Sequence, residues 1–294
     1  MRFAILADPE SWYLRDLARA AAAQNHAVTQ VSFSQIAAEI GGTENNRIFS
    51  GEHDLTKFDA LLVRTMPPGS LEQVVFRMDC LARLEAQGIS VINPPRALEA
   101  AVDKYLTSAK LQAAGLLTPR TITCQTPDDA MAAFDSLGGD VVVKPLFGSE
   151  GRGITRLSDP ALALRAFKML AQLGAVLYVQ EFIEHEGCDL RLLIIGDEIL
   201  AMKRRNPLDW RTNVSRGAKT ELLLVTPEMV DLAQRAADSV GALVAGVDIL
   251  PGKDGRLYVL EVNAVPGWKA LARTLNVDVA ARVLQFVTAR CHVR

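Results

Sequence analysis

The sequence predicts an α/β domain with a parallel sheet, followed by two lobes of the α+β class. Residues 1–100 alternate apolar strands with amphipathic helices, a pattern typical of a parallel sheet covered by helices. Residues 101–183 mix short strands with helices, and residues 184–294 contain apolar strand pairs joined by glycine-containing turns. A chain of 294 residues is long enough for two or three such units. We therefore place the domain boundaries at 1–100, 101–183 and 184–294.

The individual elements follow from the same periodicities and from cap and turn residues. In the first unit we expect strands at 3–7, 27–33, 60–64 and 89–92, with helices at 12–23 and 71–87. The segment 41–54 is polar and contains glycine, which indicates a mobile excursion. In the second unit we expect helices at 103–114 and 160–173, a helix that begins near Thr126, and strands at 120–124, 141–144, 154–157 and 176–181. In the third we expect strand pairs at 190–195 with 198–202 and at 244–250 with 257–263, and helices at 227–240 and 277–288.

The composition argues against several classes of protein. The 32 basic and 34 acidic residues nearly balance, so no strong positive field would attract nucleic acid or an anionic membrane. The four cysteines are scattered without a CxxC pair, which indicates neither a zinc site nor a disulfide framework and favours a reducing cytoplasm. Every apolar run is shorter than about 18 residues, so we expect no transmembrane span. The first residues are typical of a strand and not of a signal peptide.

Three oxygen-bearing side chains converge in the last predicted hairpin. Asp248 lies in its first strand, while Glu261 and Asn263 share one face of its second strand, because strand side chains alternate. Buried carboxylates need a cation or hydrogen bonds, and oxygen ligands without His or Cys suit Mg²⁺ or Mn²⁺ shared with nucleotide phosphates. The alternative is that Asp248 caps a strand end and Glu261 is a paired surface charge.

A lysine and a glycine-rich turn indicate a phosphate site. Lys144 ends a predicted strand, and Gly148, Gly151 and Gly153 follow it. Glycines let backbone N–H groups approach phosphate oxygens, and the lysine adds a positive charge. The lysine precedes the glycines, so this is not a Walker A loop, and the glycine spacing does not fit a dinucleotide-binding fingerprint. A plain hairpin connection is the alternative.

A hinge strand and an arginine cluster lie between these two motifs. The strand near Glu181 runs towards an interdomain hinge, where backbone groups could contact an adenine edge; an ordinary edge strand is the alternative. Asp189 and Arg191 share one strand face, either in a site or as a surface ion pair. The basic residues around them favour an anion site, because arginines suit bidentate contacts to carboxylate or phosphate. Nucleic acid is the competing explanation, but Trp210 is the only aromatic residue interleaved with the cluster.

Taken in order, these segments resemble the ATP-grasp superfamily and, more closely, its RimK-type α-L-glutamate ligase branch. The resemblance runs from about residue 60 to the C-terminus and rests on the order and spacing of the motifs. The matching segments are Asp103-Lys104, Val143-Lys144-Pro145, the turn 148–153, Gln180-Glu181-Phe182, Asp189-Leu190-Arg191, Arg204-Arg205, Arg211-Thr212-Asn213, Ser215-Arg216-Gly217, Ala245-Gly246-Val247-Asp248, Glu261-Val262-Asn263 and Pro266-Gly267.

The resemblance implies an ATP-grasp fold, in which a preATP-grasp domain precedes two α+β lobes that clamp ATP. It also implies ligation of a carboxylate to an amine through an acyl phosphate, with ATP and two Mg²⁺ (or Mn²⁺) ions. By this resemblance Lys104, Lys144, Gly148, Ser149, Gly151 and Gly153 would contact the phosphates, the backbone at Glu181 and Phe182 would contact adenine, Asp189 would contact the ribose or the adjoining site, and Gln180 and Arg191 would complete the nucleotide site. Arg204 or Arg205 would steady the acyl phosphate, Arg211 and Asn213 would lie near the γ-phosphate and the attacking substrate, and Asp248, Glu261 and Asn263 would hold the metals.

The acceptor is what the resemblance determines least. Residues 206–210 depart from the loop expected of ribosomal-protein-modifying members, and Trp268 could stack on a flat acceptor or pack between lobes. We expect L-glutamate to be joined to the carboxylate of a pterin- or deazaflavin-type cofactor tail, another small molecule or a peptide terminus. We expect a homo-oligomer, dimeric or tetrameric, without a nucleic-acid or membrane partner. The alternatives are a dipeptide or glutathione-synthetase-like ligase with another amine, and a non-catalytic nucleotide-binding regulator.

Overall fold

The computed structural model describes residues 1–41, 47–148 and 151–292. Ser149, which the resemblance assigns to the phosphate site, lies outside the described residues. Within the described ranges, no helix combines the length and the apolar character needed to cross a lipid bilayer.

The N-terminal part of the chain is built on a parallel sheet, as the alternation of strands and helices predicts. Its elements are β1 (Arg2–Leu6), α1 (Trp12–Ala23), β2 (Ala27–Val31), β3 (Ile36–Ala38), β4 (Ile48–Ser50), β5 (His53–Asp54), β6 (Ala60–Val63), α2 (Leu71–Ala86), β7 (Ser90–Ile92) and α3 (Pro95–Val102). The parallel sheet has the order β2-β1-β6-β7. Parallel neighbours need a crossover connection, and α1 and α2 provide it between β1 and β2 and between β6 and β7.

Two features of this domain differ from the expectation. The described part of segment 41–54 is not an irregular excursion, because β3, β4 and β5 form a small antiparallel sheet. Ile48 and Ser50 are buried in it, and Arg47 pairs with Asp54 at 3.1 Å, so a polar sequence still supplies an alternating strand. Helix α3 is the other unexpected element, although Pro95 in its first turn is a typical start signal.

The middle of the chain forms a four-stranded antiparallel sheet, called here the small sheet. The elements are α4 (Lys104–Ala113), β8 (Thr121–Cys124), α5 (Pro127–Ser136), β9 (Val141–Lys144), β10 (Thr155–Leu157), α6 (Pro160–Gln172) and β11 (Leu177–Glu181), with strand order β10-β9-β11-β8. Val143 and Val179 lie in one core with Phe134 of α5 and Phe167 of α6. Alternate residues point to the other face, which therefore carries Lys144 and Gln180.

The last part forms a five-stranded antiparallel sheet, called here the large sheet. The elements are β12 (Cys188–Ile195), β13 (Glu198–Arg205), β14 (Lys219–Leu222), α7 (Pro227–Val240), β15 (Val244–Pro251), β16 (Leu257–Asn263), α8 (Lys269–Leu275) and α9 (Val279–His292), with strand order β14-β13-β12-β15-β16. β14 and α8 are elements that the sequence pattern did not predict. β13 continues to Arg205, beyond the expected end at 202.

One face of the large sheet is apolar at one end of its strands and charged at the other end. At one end Leu193 and Ile195 are buried in a core that includes Val283 of α9. Towards the other end of β12 the same face carries Asp189 and Arg191, because these positions keep the period of two. This charged end lines a cleft that the small sheet closes from the other side, so the fold brings the predicted motifs into one place.

Candidate active site

The cleft between the small and large sheets has a volume of about 850 Å³, which includes space open to solvent. The residues from the sequence-predicted site that line it are Lys104, Lys144, Gly148, Gly151, Gln180, Glu181, Phe182, Asp189, Arg204, Arg211, Asn213, Asp248 and Glu261. Arg191 and Asn263 lie on the large sheet beside the cleft, on the strands that carry Asp189 and Glu261. The structure therefore brings together motifs that are up to 157 residues apart, from Lys104 to Glu261.

Arg204 is held in place from two sides. Its Nε and Nη2 donate to the two carboxylate oxygens of Asp189 at 2.7 and 2.5 Å, and Nη2 also lies 2.9 Å from Oδ2 of Asp248. All three side chains are buried. Burial opposes the charge of Arg204, but the attraction of Asp248 and Asp189 outweighs it and raises the pKa of the guanidinium above its ordinary value. Arg204 is thus a fixed cation at the floor of the cleft.

Asp248 pairs with a second arginine, and a glycine makes room for it. Its Oδ1 lies 2.6 Å from Nε of Arg191, and Nη2 of Arg191 donates to Oδ2 at 3.1 Å. Burial would raise the pKa of Asp248, but Arg191 and Arg204 hold it below its ordinary value. A Cβ at Gly246 would collide with Nη1 of Arg191. The glycine of the Ala-Gly-Val-Asp motif therefore has a steric function next to the carboxylate.

A β-bulge sets the direction of Glu261. The register between β15 and β16 shifts after the Asp248–Glu261 pair, so that Ile249 faces Val259 and Leu260 is the extra residue. Val259 and Val262 are both buried in the core, while Glu261 faces the cleft opposite Asp248. Bulges next to active sites re-aim side chains in this way. Burial and the charge of Asp248 together raise the pKa of Glu261 above its ordinary value.

The donor set at this point fits a hard divalent cation. Asp248 and Glu261 are directly opposed carboxylates, and Oδ1 of Asp248 is buried with Nε of Arg191 as its ion-pair partner at 2.6 Å. Oδ1 of Asn263 accepts one hydrogen bond, from the Val265 amide at 2.8 Å, and an amide oxygen can accept two. Within the described residues no three His, Cys, Asp or Glu side chains form a metal-binding group. An ion here would use two carboxylates and one amide oxygen, and Mg²⁺ usually takes its remaining ligands from phosphates and water.

Two lysines face these carboxylates across the cleft. Nζ of Lys104, in the first turn of α4, donates to the Gly148 carbonyl at 2.8 Å, and Nζ of Lys144 donates to Oε1 of Gln180 at 2.6 Å. Burial lowers the pKa of both lysines, to about 8 for Lys144, and the negative charge of Glu261 acts against that shift. Both ammonium groups therefore lie where added negative charge would stabilise them.

In the hinge strand, the main-chain carbonyl of Glu181 is more available to a ligand than the amides of Glu181 and Phe182. The amides of Glu181 and Phe182 already donate to the carbonyls of Arg120 and Asp140, at 2.9 and 3.0 Å. The amide of Arg120 donates to Oε1 of the Glu181 side chain at 2.7 Å, and not to the main-chain carbonyl of Glu181. This exchange leaves the main-chain carbonyl of Glu181 without that ladder partner. The ring of Phe182 lies between Arg156, at 3.4 Å from the ring centroid, and the edge of Trp210 at 5.7 Å.

The glycine-rich turn and the loop after β13 meet over the cleft. Gly151 has φ +70°, and a Cβ there would collide with the side-chain oxygen of Asn213. Arg211 donates from Nη1 to the Ile154 carbonyl at 3.5 Å, and its other nitrogens bind Asp209 at 2.7–3.1 Å. The hydrogen bonds to Asp209 raise the pKa of Arg211. The loop thus places Arg211 and Asn213 against the turn from which phosphates would be contacted.

The structure narrows two assignments that the sequence left open, Arg204 or Arg205 for the acyl phosphate and Asp189 for the ribose or the adjoining site. Arg205 does not share the cleft with Arg204, because the next residue in a strand points to the opposite face; it pairs with Glu221 instead, at 3.9 Å. Asp189 does not present a free carboxylate to a ribose. Its oxygens accept from Arg204 and from Oγ1 of Thr212, the latter at 2.6 Å, so its contacts are those of a residue that positions Arg204.

Sequence reasoning missed two residues that organise the loop after β13. Thr212 links the loop to the buried Asp189 by a hydrogen bond. It lies within the Arg211-Thr212-Asn213 motif, but no role was assigned to it from the sequence. Asn206 is buried, and its Nδ2 donates to the carbonyls of Arg211 and Arg216 at 3.0 and 3.3 Å. An asparagine followed by proline is a turn signal and could have indicated this role.

Trp268 is 1% exposed and donates from Nε1 to Asp16 at 3.1 Å, so it packs in the interior and is not free to stack on an acceptor.

Comparison with known protein families agrees with this geometry. The profile of the RimK-like ATP-grasp domain matches residues 101–287, and the profile of the RimK preATP-grasp domain matches residues 1–98. The chain belongs to the RimK-like ATP-grasp family. Membership confirms the predicted resemblance, the ATP-grasp fold and the enzyme class: this RimK-like protein is an ATP-dependent ligase that forms carbon–nitrogen bonds. The ATP-grasp fold binds ATP with Mg²⁺, as in the complex of the ATP-grasp ligase PsnB with its minimal precursor, Mg and ADP.

Relatives of this RimK-like protein span nearly its whole length. The tetrahydromethanopterin:alpha-L-glutamate ligase of Methanosarcina acetivorans is 30% identical over 96% of this chain and 97% of its own. The probable alpha-L-glutamate ligase 2 of Shewanella denitrificans is 32% identical over 98% of this chain and 95% of its own. Among solved structures, the ATP-grasp ligase PsnB with its minimal precursor superposes with a TM-score of 0.78 at 23% identity, covering 98% of both chains. D-cycloserine synthetase DcsG superposes with a TM-score of 0.73 at 19% identity, covering 99% of this chain and 100% of its own. These two structures share the fold.

Proposed function

We propose that this ligase joins the amine of L-glutamate to the carboxylate of a small molecule or cofactor tail of the pterin or deazaflavin type, or of a peptide terminus. The observation that carries the ligase chemistry is the opposition of Asp248 and Glu261 on the large sheet to Lys104 and Lys144 across the cleft. The choice of glutamate rests on relatives that are named α-L-glutamate ligases and are 30–32% identical over nearly the whole chain.

The lysines and the glycine-rich turn would hold the nucleotide phosphates. Lys104 and Lys144 supply two cations with few competing acceptors, and Gly148, Gly151 and Gly153 have positive φ angles of 138°, 70° and 72°, which side chains other than glycine rarely adopt. On the opposite wall, Asp248, Glu261 and Asn263 would hold Mg²⁺. The metal would neutralise phosphate charge when the two anionic substrates meet. We propose two ions, because the directly opposed carboxylates of Asp248 and Glu261 would each help to hold one of them.

The residues at the cleft floor would stabilise the charge that develops on the acceptor. An oxygen of the acceptor carboxylate attacks the γ-phosphorus and displaces ADP, which produces an acyl phosphate. The amine nitrogen then attacks the acyl carbon, inorganic phosphate leaves, and the amine loses a proton. Arg204 is a fixed cation 2.9 Å from Asp248, and its hydrogen bonds to Asp189 hold the guanidinium in one orientation for this step. Arg211 and Asn213 would orient the phosphate end from the loop above.

The first experiment measures the reaction directly. The enzyme is incubated with Mg-ATP, labelled L-glutamate and a panel of acceptors that includes pterin and deazaflavin tails, amino acids and short peptides. We expect ADP release that requires both glutamate and one class of acceptor, with a product heavier by one glutamate residue. ADP release that depends on another amine would support the dipeptide or glutathione-synthetase-like alternative. Nucleotide binding without any ADP release across the panel would contradict ligase function and favour a regulator.

The second experiment counts and localises the metals. Glu261→Gln keeps the shape of the side chain and removes its charge, so we expect weaker Mg²⁺ binding and loss of turnover with an unchanged circular dichroism spectrum. Titration with Mn²⁺ in the presence of ADP, followed by electron paramagnetic resonance, should give two bound ions in the wild type. A stoichiometry of one would contradict the two-ion proposal, and full activity of Glu261→Gln would contradict the site itself.

We also propose that the enzyme is a homo-oligomer, dimeric or tetrameric. Helix α2 exposes apolar side chains that a monomer would leave in water: Leu71 is 79% exposed, Val75 48% and Phe76 43%. Such patches often mark an interface. Size-exclusion chromatography with light scattering should give two or four times the chain mass of 31.9 kDa, and a single-chain mass would contradict the proposal.

A further inference from the structure

Arg64 lies where the N-terminal domain meets the segment that follows the metal-site strand. It comes directly after β6, and its amide still donates to the Leu6 carbonyl at 2.8 Å, as a continuation of the parallel sheet. Its Nη2 donates to the Pro266 carbonyl at 2.6 Å, three residues after Asn263. Ligands of parallel α/β sheets bind at the carboxyl ends of the strands, which is the end that Arg64 occupies.

Among the residues that the structure describes, the guanidinium of Arg64 has no negative partner. It lies 4.2 Å from the ring centroid of Trp268 and 5.0 Å from that of Tyr13, and its Nε is buried without a hydrogen bond. No carboxylate among the described residues lies within 4.0 Å of it. Burial therefore lowers the pKa of Arg64 to about 10. The side chain is nevertheless only partly buried as a whole, so a ligand could reach its outer edge.

Arg191 and Arg204, the two arginines that contact Asp248, have the negative partner that Arg64 lacks among the described residues. Arg191 and Arg204 are each within 3.0 Å of at least one aspartate oxygen. A buried charge is costly unless it is paired, and the faces of aromatic rings compensate a cation only in part. An arginine without a counter-charge among the described residues, bound to the carbonyl of Pro266 three residues after Asn263, is prepared for an anion that arrives with the substrates.

We propose that Arg64 binds a substrate carboxylate that does not react, in a bidentate contact that completes the acceptor or amino-acid site from the N-terminal domain. The inference rests on the proposed function, since a glutamate ligase handles several carboxylates and only one of them becomes the acyl phosphate. Arginine matches a carboxylate with two parallel N–H groups, whereas a phosphate in this fold already has the lysines and glycines. The carboxylate comes either from the incoming amino acid or from a second acid group of the acceptor.

Arg77 offers a matched control. It is buried in the same domain, donates from Nη1 to the Pro67 carbonyl at 2.9 Å and lies 5.8 Å from the ring of Phe33. It therefore shares the carbonyl and aromatic contacts of Arg64, but its carbonyl partner Pro67 lies in the N-terminal domain, whereas that of Arg64 is Pro266, three residues after Asn263. Substitutions at Arg77 report what the loss of a buried arginine does to the domain by itself.

The experiment compares Arg64→Gln and Arg64→Lys with Arg77→Gln and Arg77→Lys in steady-state kinetics. We expect Arg64→Gln to raise KM for either glutamate or the acceptor by about 10- to 100-fold, the range for a lost hydrogen bond to a charged group. Arg64→Lys should give a smaller rise, because lysine keeps the charge without the bidentate geometry. KM for ATP should stay within about twofold, as for an interaction that the nucleotide does not share. The substrate whose KM rises identifies the source of the carboxylate.

Substrate analogues separate binding from packing. If Arg64 binds the α-carboxylate of glutamate, isoglutamine should be a poor substrate of the wild type and no worse than glutamate for Arg64→Gln; glutamine tests the γ-carboxylate in the same way. A merely structural role would lower the melting temperature of Arg64 and Arg77 variants alike and leave the substrate ratios unchanged. That result, or unchanged KM values in Arg64→Gln, would overturn the inference. If Arg64→Gln does not fold, Arg64→Lys with the same analogues decides the question.

A binding measurement keeps this inference separate from the proposed function. Calorimetric titration with L-glutamate and with glutarate needs no turnover. If the wild type shows no glutamate-dependent ADP release but binds glutarate, and Arg64→Gln does not, the carboxylate site stands and the proposed amine is wrong. Equal binding of both probes by the wild type and by Arg64→Gln overturns the site, whatever the outcome of the turnover assay.

Discussion

Asp189 accepts two hydrogen bonds from Arg204, at 2.7 and 2.5 Å, and the two residues face each other directly on β12 and β13. A third hydrogen bond, from Thr212 at 2.6 Å, fills the remaining side of the carboxylate. These hydrogen bonds fix the two side chains relative to each other. The function of Asp189 is therefore to position the guanidinium of Arg204.

The first prediction separates a positioning role of Asp189 from contact with the nucleotide. In Asp189→Asn one oxygen and the negative charge are lost, so the guanidinium gains freedom while Asp248 still pairs with it. We expect kcat to fall by about 100-fold, the effect of a misplaced catalytic group. Stability should fall by about 1–3 kcal/mol, the usual cost of a lost buried hydrogen bond. Fluorescence titration should give an unchanged Kd for ATP, and a rise in that Kd would restore the ribose assignment.

The second prediction uses adjacent arginines that point to opposite faces. Arg204→Lys cannot keep two hydrogen bonds to Asp189 and a contact to Asp248, so we expect kcat to fall by about 10²–10³-fold, as for loss of one charge-stabilising donor. Arg205→Lys changes a half-exposed side chain 3.9 Å from Glu221 and should leave kcat within about twofold. Rates of ADP release at saturating substrates measure both. Equal losses in the two variants would contradict the finding that Arg204 points into the cleft and Arg205 to the opposite face of β13.

The third prediction concerns pH. Burial lowers the pKa of Lys144 to about 8 from an ordinary value of 10.5, so in the free enzyme the ammonium loses its proton as the pH rises past 8. Affinity for ATP should then decline by at most about tenfold per pH unit, the limit for one linked proton. Between pH 8 and 10.5 the unfolded chain binds more protons at this residue than the folded chain, so the contribution of Lys144 to stability rises with pH.

Lys144→Arg supplies the control for the pH effect, because an arginine stays charged throughout this range. Its Kd for ATP should lie above the wild-type value at pH 7 and show no inflection near pH 8. The measurement is a set of nucleotide titrations between pH 6.5 and 9.5 at constant ionic strength. An inflection that persists in Lys144→Arg would assign the titration to another group.

The fourth prediction tests the steric function of Gly246. Gly246→Ala would push against the guanidinium of Arg191 and so disturb its pair with Asp248. We expect a loss of about 1–3 kcal/mol in the free energy of unfolding, the usual cost of overpacking. Combining Gly246→Ala with Arg191→Ala should cost less than the sum of the two single changes, because the clash is gone. Urea denaturation of the four proteins in the cycle gives the coupling, and additive losses would contradict the contact.

The accuracy of the sequence-based prediction varied with how local its signal was. Strands β1, β9 and β16 and helices α1 and α7 follow from periodicity and caps, and their observed bounds agree with expectation to within a residue. The three-stranded sheet β3-β4-β5 was missed because its strands are only two or three residues long, and β14 and α8 were missed for lack of a long apolar period. The bulge at Leu260 cannot be seen in one strand alone, since it is defined by the register with β15.

The sequence by itself determined the family, the chemistry of the donors and the order of the motifs, because lysines, glycines, arginines and carboxylates at these spacings are local facts. Only the tertiary structure decided how the charges are paired. Arg204 and Arg205 are equivalent in the sequence, yet strand alternation sends one into the cleft and the other to Glu221. Asp189 and Asp248 are both buried acids, but cross-strand neighbours commit one to holding Arg204 and place the other beside Glu261. Arg64 belongs to none of the sequence motifs. Only the packing of the N-terminal domain against the segment at Pro266 shows that its charge has no negative partner among the described residues.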